Sequence, residues 1–285
     1  MSGAARASIV IPAHDEERVI GRTLTAALAG TAPHEYETVV VCNGTTDATP
    51  EIAAAFDGVR VVEIATPSKT AALNAGDAAV SAFPRVYLDA DVVLGPGALE
   101  AVVAALEEGH PAAAPRPVFD TTGLSLPCRA YYAIRSRLGY VNHHVIGAGV
   151  YAVSTEGRAR FGAFPDVIAD DGWVYAHFDH AERFNPPGAT FTVHPPRTLR
   201  SLYRRQVRIV AGNQQLAALG HRVEAPRPTW RDVVRSEPRL LPAALVYVAV
   251  TVAARAHARL RARRGDHGWN RDETSRGVVG TEAGR

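Results

Sequence analysis

Hydrophobic runs and polar breaks alternate along the first third of the chain. Residues 7–13, ASIVIPA, form an apolar, β-branched run that predicts a buried strand. Residues 15–30 follow with acids at the start and a glycine at the end, the start and stop signals of a helix. Strand-type runs recur at 36–44, 58–64 and 85–94, and helix-type segments at 49–56, 68–80 and 95–110. In the second helix Thr49 is the expected N-cap, with Pro50 at the first helical position and Glu51 behind it. Alternation this regular predicts an α/β fold around a doubly wound, mainly parallel sheet. Such sheets bind ligands outside the carboxyl ends of their strands.

Those ends are polar here. They carry Pro12 to Glu16, Cys42 to Asp47, Thr66 to Lys69, and Asp89-Ala90-Asp91. Loops are polar in any protein, so one such cluster means little. Four clusters on one rim, with the chain's only lysine, Lys69, among them, point to a ligand site. The last cluster raises a question of charge. On an extended chain, carboxylates at i and i+2 face opposite sides, so one can hold a ligand or loop while the other enters the crevice. A carboxylate facing a diphosphate repels it unless a divalent cation lies between them. Mg²⁺ and Mn²⁺ fit that place, because they take one or two carboxylates together with phosphate oxygens and water.

Composition narrows the classes. The 285 residues, 47% of them hydrophobic, suffice for one large α/β domain or two modest ones. A formal net charge of +2 argues against nucleic acid as a partner. Cys42 and Cys128 have neither metal-type spacing nor a disulfide framework, which suits a reducing cytoplasm. The first apolar run is too short for a signal peptide.

SIVIPAHDEE, VVVCNGTTDAT, SKTAALNAG and VYLDADVVL, in that order, resemble the GT-A fold family 2 glycosyltransferases. The likeness spans residues 1–222, taken as one GT-A domain. It implies inverting transfer of a sugar from a nucleotide-sugar, usually UDP-linked and sometimes GDP-linked, with Mn²⁺ or Mg²⁺. It further implies that Pro12, Ala13, His14 and Glu16 seat the nucleoside with Asn43, and that Lys69 lies near the base or phosphates. Asp89 and Asp91 become the D-x-D pair, Asp91 on the metal and Asp89 shared between metal and donor. His14-Asp15 departs from the family pattern, where an Asn before the two glutamates is commoner. Ser68 departs as well, where glycine often precedes the lysine.

The middle of the chain resembles the family's second half, with the acidic pair Asp170-Asp171. An inverting transfer needs a carboxylate to take the acceptor hydroxyl's proton. The resemblance assigns this to Asp171, with Asp170 as the alternative. As residues alone, the pair also reads as an N-cap, and the two roles are compatible. Arg204, Arg205 and Arg208 lie at helical spacing. They resemble the family's Arg-containing helix near the donor diphosphate, although no Trp follows Arg208. Arg205 and Arg208 are the expected donor contacts, and a solvated basic face is the other reading. His194 is a further metal ligand or simply polar, and His143-His144 is a candidate for the acceptor pocket.

Residues 240–254 are apolar and lead into an arginine cluster that includes Arg255, Arg259, Arg261, Arg263 and Arg264. About fifteen residues fall short of the roughly twenty that cross a bilayer. Residues 223–272 therefore read as a helical appendage, either lying on an anionic membrane surface or packed on the catalytic domain. Residues 273–285 read as a disordered tail. The acceptor is then a lipid-linked or small-molecule hydroxyl, met in the cytoplasm or at the inner face of the cell membrane. Two other classes are weighed. A nucleotidyltransferase needs a glycine-rich phosphate loop where this chain has Pro12-Ala13-His14-Asp15. A degenerate sugar-nucleotide-binding protein would not need the acids that survive here.

Overall fold

Strand β1 (Ala7–Ala13) is buried at every position, as its unbroken apolar run requires. It lies between β2 (Tyr36–Asn43) and β4 (Arg85–Leu88), parallel to both, and β2 carries β3 (Val59–Ile64) on its far side. Alternate residues of β1 feed two cores. Ile9 and Ile11 pack with α1 (Ile20–Ala27), α2 (Thr49–Ala54) and α4 (Ala98–Glu107). Val10 faces the other side, against α3 (Lys69–Ala79) and Tyr87. Both faces of the sheet are thus covered by helices. The computed structural model describes residues 5–142, 149–221 and 227–263. His143-His144, Arg264 and the tail 273–285 lie outside them.

The sheet continues past β4 with β8 (Val150–Val153), β6 (Ala112–Ala113) and β9 (Arg183–Phe184), in the order β3-β2-β1-β4-β8-β6-β9. Strand β8 runs antiparallel to both of its neighbours, so the sheet is mixed at this end. A second, small sheet joins β5 (Val93–Leu94), β10 (Thr190–Val193) and β7 (Arg116–Phe119). The remaining helices are α5 (Leu126–Arg135), short α6 (Gly139–Asn142) and α7 (Thr155–Arg158), α8 (Asp170–Tyr175), α9 (Leu199–Ala218), α10 (Trp230–Ser236) and α11 (Leu241–Arg263).

Four local expectations change. The run 85–94 is two strands in two sheets, broken by a turn in which the Val92 N–H donates to the Asp89 carbonyl at 3.1 Å. Asp89 and Asp91 therefore sit in a turn and not on an extended chain. Helix α1 starts at Ile20 because the preceding residues clasp the β2–α2 loop. Asp15, at φ 51, accepts from the Thr46 N–H at 2.8 Å, and the Glu17 N–H donates to Asp47 at 3.1 Å. Thr49 is not the cap of α2, which is Ala48; its hydroxyl accepts the Glu16 N–H at 2.7 Å. The apolar stretch 240–254 continues into a helix of 23 residues, not fifteen. By length and composition alone, Pro238–Arg261 could cross a membrane, with a mean hydropathy of 1.5 over its most apolar 18 residues. Its buried residues Ala244, Val250, Ala254 and Ala258 pack against α5, α9 and α10.

Candidate active site

The ends of β1 and β2 are stitched together by two of the predicted site residues. Buried Asn43 donates Nδ2 to the Ala13 carbonyl at 2.7 Å. His14 closes the same junction, its Nδ1 lying 2.5 Å from the Asn43 carbonyl. Pro12, Ala13 and Glu16 are buried in this rim. On the next strand's exit, the Ser68 hydroxyl accepts the Ala71 N–H at 3.2 Å and caps α3. That cap starts the helix at Lys69 and aims its side chain across the crevice.

Lys69 joins residues from two other parts of the chain. Its Nζ lies 2.7 Å from Asp89 Oδ1 and 2.8 Å from Asp170 Oδ1. Asp89 is held by its own N–H, which donates to the Gly149 carbonyl at 2.7 Å. Gly149 has φ 106, and a Cβ there would come within 2.7 Å of Val92 and 3.3 Å of the Asp89 carboxylate. Only glycine fits that approach. Asp170 is buried at the first turn of α8, and its Oδ2 accepts from the Tyr151 hydroxyl at 3.3 Å. Ala169, not an aspartate, is the N-cap of α8 and makes no side-chain cap bond. Both acids therefore stand inside the first turn. Asp171 is only half-buried, and its Oδ1 accepts the Gly172 N–H at 2.7 Å.

Helix α9 braces the acidic pair. The Ile168 N–H donates to Gln215 Oε1 at 2.9 Å. Gly212 lets the helix approach so closely that a Cβ there would sit 3.0 Å from the Ala169 side chain. Arg205 and Arg208 lie earlier on α9, both half-buried, with Arg205 Nη1 3.4 Å from the Tyr132 hydroxyl of α5. Arg204 is exposed. The His194 Nδ1 lies 3.5 Å from Asp120 Oδ2.

Charge in the cluster is lopsided, since Asp89, Asp170 and Asp171 all act on the Lys69 ammonium and Asp91 acts on Asp89. Burial pushes the Asp89 carboxyl up to about 7, against the pull of Lys69 and with help from Asp170 and Asp91. Burial also raises Asp170, where Asp171 adds to the effect and Lys69 opposes it. Burial works against the charge on Lys69, but Asp170, Asp89 and Asp171 outweigh it and raise its pKa. Lys69 and Asp89 each keep about a third of their side-chain surface exposed, so the cluster opens to solvent on one side. This excess negative charge suits a divalent cation. Among the described residues no three His, Cys, Asp or Glu side chains gather as a closed cage. Asp89 and exposed Asp91 are a donor set that phosphate oxygens and water would complete, which is the habit of Mg²⁺ and Mn²⁺.

Tyr151 and Gln215 are absent from the sequence-level site. Their only signals were a tyrosine inside a valine-rich strand and a glutamine on a basic helix, and neither shows which partner lies opposite.

Residues 8–144 match the family model "Glycosyl transferase family 2". A validoxylamine A glucosyltransferase from Streptomyces hygroscopicus subsp. limoneus is 32% identical over 104 residues, which is 34% of this chain and 23% of that protein. The chain thus matches about a quarter of the length of that curated relative. Among solved structures, a mannosyltransferase from Pyrobaculum calidifontis in complex with GDP-Man and Mn²⁺ superposes with a TM-score of 0.58. It is 21% identical and covers 93% of this chain and 81% of its own. Glucosyl-3-phosphoglycerate synthase from Mycobacterium tuberculosis, in complex with Mn²⁺ and UDP-glucose, has a TM-score of 0.52. It is 22% identical over 78% of this chain and 81% of its own. These structures share the α/β fold of GT-A type. Over residues 8–144, just under half of its length, the chain is thus similar to glycosyl transferase family 2.

Proposed function

We propose that the protein is an inverting glycosyltransferase. It moves a sugar from a nucleotide-sugar, UDP-linked by preference, to a hydroxyl of a lipid-linked or small-molecule acceptor. The carrying observation is the Lys69 bridge between Asp89 and Asp170, at the carboxyl ends of the strands, with Asp91 and Asp171 beside it. The chemistry of the relatives supports the reading: one is a glucosyltransferase, and two were solved with a sugar nucleotide and Mn²⁺.

The donor's nucleoside lies on the rim of Pro12, Ala13, His14 and Glu16, with Asn43 holding that rim in place. Asp91 and Asp89 would hold Mn²⁺ or Mg²⁺, which supplies positive charge to the diphosphate. Arg205 and Arg208 add positive charge from α9. The acceptor oxygen attacks the anomeric carbon, and the carbon–oxygen bond to the diphosphate breaks, its electron pair leaving with the nucleotide. The hydroxyl proton passes to Asp171. Asp170 is less suited to that task, because its two oxygens serve Lys69 and Tyr151.

Incubating the protein with UDP-glucose and with GDP-mannose, a panel of acceptors and Mn²⁺ tests this. Nucleoside diphosphate should be released, and proton NMR should show an anomeric configuration opposite to the donor's. Retained configuration would overturn the inverting mechanism. No release from any sugar nucleotide would overturn the transferase.

A further inference from the structure

We infer that the outward face of α11 docks the protein peripherally on an anionic lipid surface. The inference rests on the sugar-transfer reading only for the use of the docking, not for the docking itself. Helix α11 has two unlike sides. Ala244, Val250, Ala254 and Ala258 are buried against the other helices, and the Tyr203 hydroxyl meets His257 Nδ1 at 2.9 Å. On the opposite side Leu241, Leu245 and Val252 follow one another at helical spacing, 51%, 66% and 57% exposed. The same stripe ends in exposed Arg255 and Arg259. It is apolar for its first turns and basic for its last.

Charge selects the partner. Across the chain, 31 basic residues nearly balance 29 acidic ones. Yet α11 and the two long helices beside it, α5 and α9, contain arginines and no Asp or Glu. Helix α10, which also packs on α11, adds one acid, Asp232, whose carboxylate accepts from the Thr229 N–H and hydroxyl. A helical layer so poor in acid, with projecting leucines, complements lipid that is apolar within and anionic at its headgroups. A full span does not fit. To cross a bilayer, α11 would have to leave α5 and α9, uncovering Tyr131, Tyr132 and Leu202. The face also lies near the chemistry, because α9 packs on α11 at one end and braces the Asp170-Asp171 loop at the other. A lipid-linked acceptor confined to the surface would meet the site there.

The test uses the full chain without donor, mixed with phosphatidylcholine vesicles with and without phosphatidylglycerol. It should co-sediment only with the anionic vesicles, and salt should weaken this. Each arginine contributes up to about fivefold, so R255Q with R259Q should weaken binding by up to roughly thirtyfold. L245Q with V252N should also lose binding, and both pairs should keep the wild-type melting curve and donor affinity. Failure to bind phosphatidylglycerol vesicles would overturn the inference. So would binding that neither pair alters, extraction by detergent only, or a dimer that L245Q with V252N dissociates. A protein that transfers sugar but ignores vesicles would lose the docking alone. One that binds vesicles without transferring sugar would lose the enzymatic reading alone.

Discussion

Asp170 and Asp171 adjoin in sequence, yet the fold separates their environments. Asp170 is buried and bonded to Lys69 and Tyr151, whereas Asp171 remains half-exposed. Asp171→Asn should therefore lower kcat by about 10²–10⁴-fold with donor affinity nearly unchanged, as loss of a general base does. Asp170→Asn should instead cost about 1–3 kcal/mol of stability, because it weakens two buried polar contacts. Thermal melts and single-turnover kinetics on the two variants separate these outcomes, and the reverse pattern would exchange the roles. Asp91 is exposed and makes no part of the Lys69 bridge. Asp91→Asn should thus keep the fold and lose most transfer. EDTA should abolish wild-type transfer and Mn²⁺ restore it, and full activity in EDTA would remove the metal from the scheme. The acids themselves were legible in the sequence. Their division of labour was not, because burial and the reach of Lys69 depend on segments far apart in the chain.

At the scale of elements, the acidic pair owes its position to close packing between α9 and the loop before α8. Gly212 and Gly172 make room, the latter against Leu216, which a Cβ would approach to 2.7 Å. Gly212→Val should push α9 away from Ala169, costing about 1–3 kcal/mol by overpacking. Activity should fall more than stability alone predicts, since Asp170 and Asp171 ride on the displaced segment. Matching activity and melting data would show whether this coupling exists; a purely thermal defect would argue against it. The regular strands and helices of the first third were readable because their periodicity is local. The break at Asp89 to Val92 was not. The apolar runs on either side look continuous, and only the pairing of β5 with β10 reveals that the chain changes sheets.

For the whole molecule, the position of α11 decides what its removal does. Truncation after Glu237 would strip Val250, Ala254 and Tyr247 from Tyr131, Leu202 and their neighbours. Several buried apolar side chains, each worth about 1.5–3 kcal/mol, would lose their cover. The melting temperature should fall by on the order of 10 °C or the transition lose its cooperativity, as calorimetry would report. A truncated protein with wild-type stability would mark α11 as a loosely attached appendage. Hydrophobic periodicity already determined the α/β class, and the residues at the strand ends pointed to a rim with Lys69, Asp89 and Asp91, to which the family resemblance added Asp170 and Asp171. These are local patterns that any parallel sheet with right-handed crossovers turns into one shared edge. Three things waited for the tertiary structure: the Lys69 bridge, the split between Asp170 and Asp171, and the side of α11 that faces outward. Each depends on contacts between segments tens to more than a hundred residues apart, and no pattern within either segment encodes its distance to the other.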